Sequence, residues 1–103
     1  MDNDTSPVRR MRKHLTGGNI WLYVLALLKK KRYHAYSLDE AIEKQFGFRP
    51  NRIMVYVVLY KLEAEGLINS ATEGRRKYYK ITNKGIAAAK QAKAYLKKLS
   101  DII

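Results

Sequence analysis

One short stretch, residues 67–81, interrupts an otherwise helical pattern of apolar residues and limits what the rest of the chain can build. Leu67 to Thr72 and Lys77 to Ile81 flank Glu73-Gly74-Arg75-Arg76, a glycine-containing turn, and together they predict a β-hairpin. Ahead of it the spacing predicts three helices. Ile20, Tyr23, Val24, Leu27 and Leu28 recur at helical intervals, so the first helix covers about residues 19–31, with Asn19 as cap and Lys29 to Arg32 at its cation-favouring end. Tyr33 to Tyr36 is a linker with room for a brief strand. Ser37 opens a second helix, with Glu40 three residues on in the capping-box pattern and Gly47 closing it. Pro50 disfavours helix at Arg49, so a third helix starts near Asn51, runs to about Glu65 and stops at Gly66. Thr82 caps a last helix that continues nearly to the C-terminus. The expected fold is mostly α with a small β-hairpin, in the α+β class. It is a winged helix-turn-helix with one helix added.

Length permits one such domain. A chain of 103 residues, 47% of them hydrophobic, has the material for a single core. The expected organisation is a basic flexible arm over residues 1–18, the winged helix over 19–82, and a C-terminal helix over 83–103. No cysteine is present, which excludes disulfides, thiolate zinc sites and cysteine nucleophiles and fits a cytoplasmic protein. The longest apolar stretches, Ile20 to Leu28 and Ile53 to Tyr60, fall short of the roughly 20 residues that span a bilayer. No membrane partner is therefore expected, and no small-residue cleavage site follows the N-terminal cations.

Charge directs attention to nucleic acid. Twenty-one Lys and Arg against nine Asp and Glu give a formal charge of +12, and a compact body so charged calls for a polyanionic partner. Catalytic patterns are absent: His14 and His34 stand far apart, with no nucleophile signature beside them. Asp39, Glu40 and Glu43 make an acidic helix start that the helix dipole explains. No phosphate loop or metal-site motif occurs, so neither an enzyme nor a cofactor is expected.

In a helix-turn-helix the N-terminal part of the second helix enters the major groove. Here that region is Arg49, Asn51, Arg52 and Ile53. Arg suits guanine and Asn suits adenine by bidentate contact, while Asn51 also fits a helix cap. Tyr56, one turn on, offers a hydroxyl to phosphate, and Lys61 lies near the backbone. Val55, Val58, Leu59 and Leu62 share the core-facing side, which leaves Ile53, Val57 and Tyr60 opposite. That outer face suits thymine methyls or a protein surface. At the hairpin tip Arg75, Arg76 and Lys77 can lie along phosphates or enter the minor groove. Tyr78 and Tyr79 point to opposite sides of their strand, so one is core and the other exposed. Arg9, Arg10 and Arg12 of the arm add affinity without reading sequence.

The last helix carries Ala88, Ala92, Tyr95, Leu99 and Ile102, with Ala89 and Leu96 alongside, spaced like a coiled-coil seam. This face covers either its own domain or a second copy. The two-fold arrangement of a homodimer accounts for it with the first helix beside it.

Three stretches together resemble the PadR family of winged-helix regulators. Val55-Tyr56-Val57-Val58-Leu59-Tyr60-Lys61-Leu62-Glu63-Ala64-Glu65-Gly66-Leu67-Ile68 resembles the family's LYxxLxxLExxGLI block. Glu73-Gly74-Arg75-Arg76-Lys77-Tyr78-Tyr79-Lys80-Ile81-Thr82 is similar to its EGRRRYYRLT wing, and Tyr33-His34-Ala35-Tyr36 to its HGYEL segment. The resemblance implies a homodimeric transcriptional repressor on a pseudo-palindromic operator in double-stranded DNA. It makes the last helix the dimerisation element, Tyr56 the family's recognition-helix tyrosine, and Arg75 and Arg76 its wing arginines. Ile53-Met54 depart from the family's small residue and Thr, so base contacts do not carry over there. A small-molecule effector has no support, because Trp21 and the nearby tyrosines are better read as core packing. Two alternatives remain beside this reading: a protein-interaction winged helix and a DNA-coating protein indifferent to sequence.

Overall fold

The computed structural model describes residues 4–103, so the first three residues of the expected arm lie outside it. Helix α1, Ser6–Leu15, occupies most of the segment expected to be a flexible arm. Pro7 sits at the start of this helix, where its fixed φ suits the first turn. Arg12, Lys13 and His14 fill the last turn, where cations meet the exposed carbonyls. Asp4 pairs with Arg12 at 3.1 Å. The expectation of a flexible arm is corrected here, because Pro7 and the terminal cations favour a helix in this polar segment.

Helix α2, Ile20–Leu28, is shorter at its C-terminal end than the periodicity predicts. Asn19 does not cap it by side chain. Its amide instead donates to the His14 carbonyl at 2.6 Å, and its oxygen accepts from Trp21 Nε1 at 3.1 Å. Tyr23 donates its hydroxyl to the Leu15 carbonyl, and burial pushes this phenol's pKa up. These bonds tie α1 to the start of α2.

Strand β1, Tyr33–His34, leads into a 3-10 turn over Ala35–Ser37 and then α3, Leu38–Phe46. The expected capping box does not form. Ser37 is already in the helical region (φ −94°, ψ −7°), and its hydroxyl donates back to the His34 carbonyl at 2.9 Å. The extended backbone that a capping side chain needs is missing there. Helix α4, Arg52–Ala64, starts as expected: Asn51 is extended, and its side-chain oxygen accepts from the Ile53 and Met54 amides.

Strands β2, Ile68–Glu73, and β3, Arg76–Ile81, form the antiparallel hairpin, in register from Ile68 opposite Ile81 to Glu73 opposite Arg76. Gly74 makes the turn at φ +62°, a conformation that a side chain would strain. The brief strand β1 joins the free edge of β3, giving the sheet order β1-β3-β2. Helix α5, Asn83–Ile102, is capped by Thr82, whose hydroxyl accepts from the Gly85 amide.

Core residues come from every layer. Val24, Leu25, Leu27 and Leu28 of α2 meet Leu38 and Ile42 of α3, Val55, Leu59 and Leu62 of α4, and Ile68 and Tyr79 of the sheet. Tyr79 is buried and Tyr78 half-exposed, as the strand alternation requires. The first turn of α5 sits directly on the loop after α4. A Cβ on the buried Gly85 would lie 2.1 Å from the Leu67 carbonyl oxygen.

Candidate nucleic-acid interface

The start of α4 is organised around a residue that the sequence reading assigned to a helix dipole. Asp39 is 3% exposed, and its Oδ2 accepts from Arg52 Nε at 3.1 Å and from Arg49 Nη2 at 3.3 Å. Its Oδ1 accepts from the Glu40 amide at 2.9 Å. Arg49 also reaches Glu43 at 3.1 Å. Burial by itself raises the Asp39 pKa, but the bonds from Arg52 and Glu40 and the two arginine charges outweigh it, so the carboxyl titrates below its usual range. The bond to Glu43 and the charge of Asp39 hold Arg49 protonated above its usual range. Both guanidinium groups remain about half-exposed, so their outer edges still face solvent.

Asn51, Arg49 and Arg52 therefore stand together at one end of α4, each already engaged. The Asn51 oxygen that would complete a bidentate adenine contact is occupied by the helix cap. Along the outer side, Ile53 is 72% and Tyr60 77% exposed, with Val57 and Tyr56 exposed between them. Lys61 is not brought into this group. It lies on the flank beside Trp21, Glu65 and Ala88.

The wing is braced close to its tip, at Glu73, which stands opposite Arg76 beside the Gly74 turn. Glu73 pairs with Arg32, whose guanidinium also lies over the Tyr78 ring at 4.4 Å. This bond pushes the Glu73 pKa down and that of Arg32 up. Arg75 in the turn, Arg76 opposite Glu73 and Lys77 next to it are exposed. Arg76 lies 5.8 Å from the centre of the Tyr36 ring, and its Nη1 is 3.5 Å from His34 Nε2. The turn Ala35–Ser37 packs against both α4 and β3. One segment, residues 34–39, thus touches the wing arginine at one end and, at the other, Arg49 and Arg52 where α4 begins. Sequence reasoning missed Asp39, Tyr36 and His34 as organisers, because their partners lie 10 or more residues away.

The arginines of α1, Arg9, Arg10 and Arg12, are exposed, with Arg9 donating to the Asp4 carbonyl at 2.6 Å. On α5, Ala88 and Ala89 pack on the core and Ala92 is half-buried. Further along, Tyr95 is 70% and Ile102 72% exposed, and Leu96 and Leu99 are exposed with them. An apolar groove between α2 and α5 is lined by Leu22, Ala26, Phe46, Ala92 and Leu96. Among the described residues no cluster of His, Asp and Glu is arranged to hold a metal, and no helix is long and apolar enough to cross a membrane.

Comparison with known proteins gives these features a family. The family model described as "Transcriptional regulator PadR-like family" matches residues 24–91, more than half of the 103-residue chain. A comparison with curated proteins finds no match. Among solved structures, a PadR family transcriptional regulator from Eggerthella lenta is similar with a TM-score of 0.79 and 26% identity, over 91% of this chain and 86% of that one. A PadR family transcription regulator from hypervirulent Clostridium difficile has a TM-score of 0.75 and 22% identity, over 82% of this chain and 93% of that one. The same fold appears in a winged-helix DNA-binding protein from STIV, with a TM-score of 0.71 and 16% identity over 82% and 92% of the two chains. With the profile covering helices, wing and the start of α5, the chain belongs to the PadR-like family of transcriptional regulators, built on the winged-helix fold.

Proposed function

We propose that the protein is a homodimeric repressor that recognises a two-fold site in double-stranded DNA, with α4 in the major groove and the wing on the backbone or in the minor groove. The observation that carries this reading is the shared segment 34–39, which contacts Arg76 of the wing at one end and, at the other, Arg49 and Arg52 at the start of α4. Two cationic elements so tied can meet one duplex together, and phosphate contacts of this kind fix register on DNA. Arg49, Asn51, Arg52, Ile53 and Tyr56 form the groove contact in this reading. Arg75, Arg76 and Lys77 form the wing contact, and Lys61 with the α1 arginines supplies affinity at the margins. Repression is the role that the family resemblance implies. The exposed far half of α5, with Tyr95, Leu96, Leu99 and Ile102, is the surface a second copy would cover.

Selection from a library of random duplexes, followed by a salt titration on any enriched sequence, tests this. Half-sites about one helical turn apart support a dimeric sequence reader. Equal binding to all duplexes with a steep salt dependence favours a DNA-coating role instead. A second reading, a protein-interaction winged helix, draws on the exposed Ile53 and Tyr60 and predicts negligible DNA binding at moderate salt.

A further inference from the structure

The outer face of α4 is apolar where a base-reading helix usually carries hydrogen-bonding groups. Ile53, Val57 and Tyr60 follow one another at intervals of four and three residues on the side opposite the core, with Tyr56 beside them, and all four are exposed. The polar groups that stand nearest are committed inside the protein. Asn51 caps the helix through its side-chain oxygen. Arg49 and Arg52 share the nearly buried Asp39, and swinging either onto a guanine would strip that carboxylate of a hydrogen-bonded partner.

Resting on the DNA-reading function above, we infer that α4 discriminates bases chiefly through the C5-methyl groups of thymine, met by Ile53 and Val57, rather than through hydrogen bonds to guanine or adenine. Thymine's methyl is the apolar group that the major groove offers, and it distinguishes T·A from the other pairs. From Ile53 to Tyr60 the helix advances about 10 Å, which matches about three base-pair steps at about 3.4 Å each. Ile53 and Val57, nearer the helix start, reach deepest, and Tyr60 meets the groove edge. Charge favours this occupant over an apolar protein surface. Arg52 directly precedes the stripe at the start of α4, Arg49 shares Asp39 with it, and the wing cation Arg76 lies over Tyr36 of the turn that packs on α4. A duplex presents methyls with phosphates on both sides of them, so one ligand satisfies stripe and cations together.

The test uses the full-length protein and the duplex enriched from the random library. Each thymine of a half-site is replaced in turn by deoxyuridine, which keeps the pairing edge and the O4 acceptor and lacks only the methyl. Loss of one buried methyl is expected to weaken binding roughly fourfold at two or more thymines of each half-site. Ile53→Ser and Val57→Ser, at exposed positions that do not carry the core, each erase the penalty at the thymine they meet. An enriched sequence indifferent to every uracil replacement overturns the methyl assignment and leaves the DNA-reading function standing. If the two serine variants also bind that sequence unchanged, the outer face belongs to a protein partner. Failure to enrich any sequence overturns the sequence-reading function itself, and this inference with it.

Discussion

Asp39 is the residue on which the α3–α4 corner turns. Three donors converge on a carboxylate with almost no access to water, so removing its charge leaves Arg52 without its counter-ion and Arg49 with Glu43 alone. Asp39→Asn is expected to cost about 1–3 kcal/mol, read as a lower urea midpoint. The pH dependence has a definite sign. Because the folded carboxyl titrates below its usual value, its contribution is complete above the unfolded value of about 3.9 and disappears as pH falls through the folded one. The gap between wild type and Asp39→Asn should therefore be full above about pH 5 and close in strong acid; a gap that widens in acid would refute this account. Gly85 is the second decisive residue. Gly85→Ala drives a methyl into the Leu67 carbonyl and should destabilise by about 1–3 kcal/mol or more, seen as a lowered melting temperature.

At the scale of elements, the wing is braced from outside the hairpin, by Arg32 on Glu73 and by Tyr36 and His34 beside Arg76. The Arg32–Glu73 pair neutralises the acidic charge beside the turn, and the exposed Arg75, Arg76 and Lys77 remain available to phosphate. Arg76→Ala should lower the slope of log affinity against log salt by about one without changing which sequence is preferred. Arg52→Ala should act differently. It frees Asp39 of a partner and disturbs the start of α4, so it should relax specificity at the neighbouring base pair, measured by repeating the duplex selection with the variant. Parallel changes in the two variants would mean that wing and helix do not divide the work in this way.

At the scale of the whole molecule, the chain is elongated, 48 Å along its longest axis and 21 Å across its shortest. The 20 residues of α5 contribute about 30 Å of helix, and only the first half lies on the core. An apolar seam left open at this length suits a second copy, and a dimer matches the two-fold symmetry of paired half-sites. Leu99→Glu, at an exposed position, should leave the monomer folded and shift the protein from dimer to monomer in analytical ultracentrifugation. Binding to a full two-fold site should weaken with it, while binding to a single half-site should not. A wild-type protein that sediments as a monomer at micromolar concentration would end the dimer proposal.

Local chemistry alone determined much of this protein. Apolar residues three and four apart specify α2, α3, α4 and α5, because a helix brings such positions to one face. The Gly74 turn between strand-type segments specifies the hairpin, and Asn51 and Thr82 specify where their helices begin. Even the burial of Tyr79 over Tyr78 follows from strand alternation once one face has a core to meet. What only the tertiary structure decided are the pairings between distant residues: Asp39 with Arg49 and Arg52, Glu73 with Arg32, and Arg76 with His34 and Tyr36. A charged side chain has many possible counter-ions along the chain, and sequence spacing does not rank them. Packing of α3 against α4, and of β1 against β3, brings one partner within reach and excludes water from Asp39. The same packing determines which arginines are committed inward.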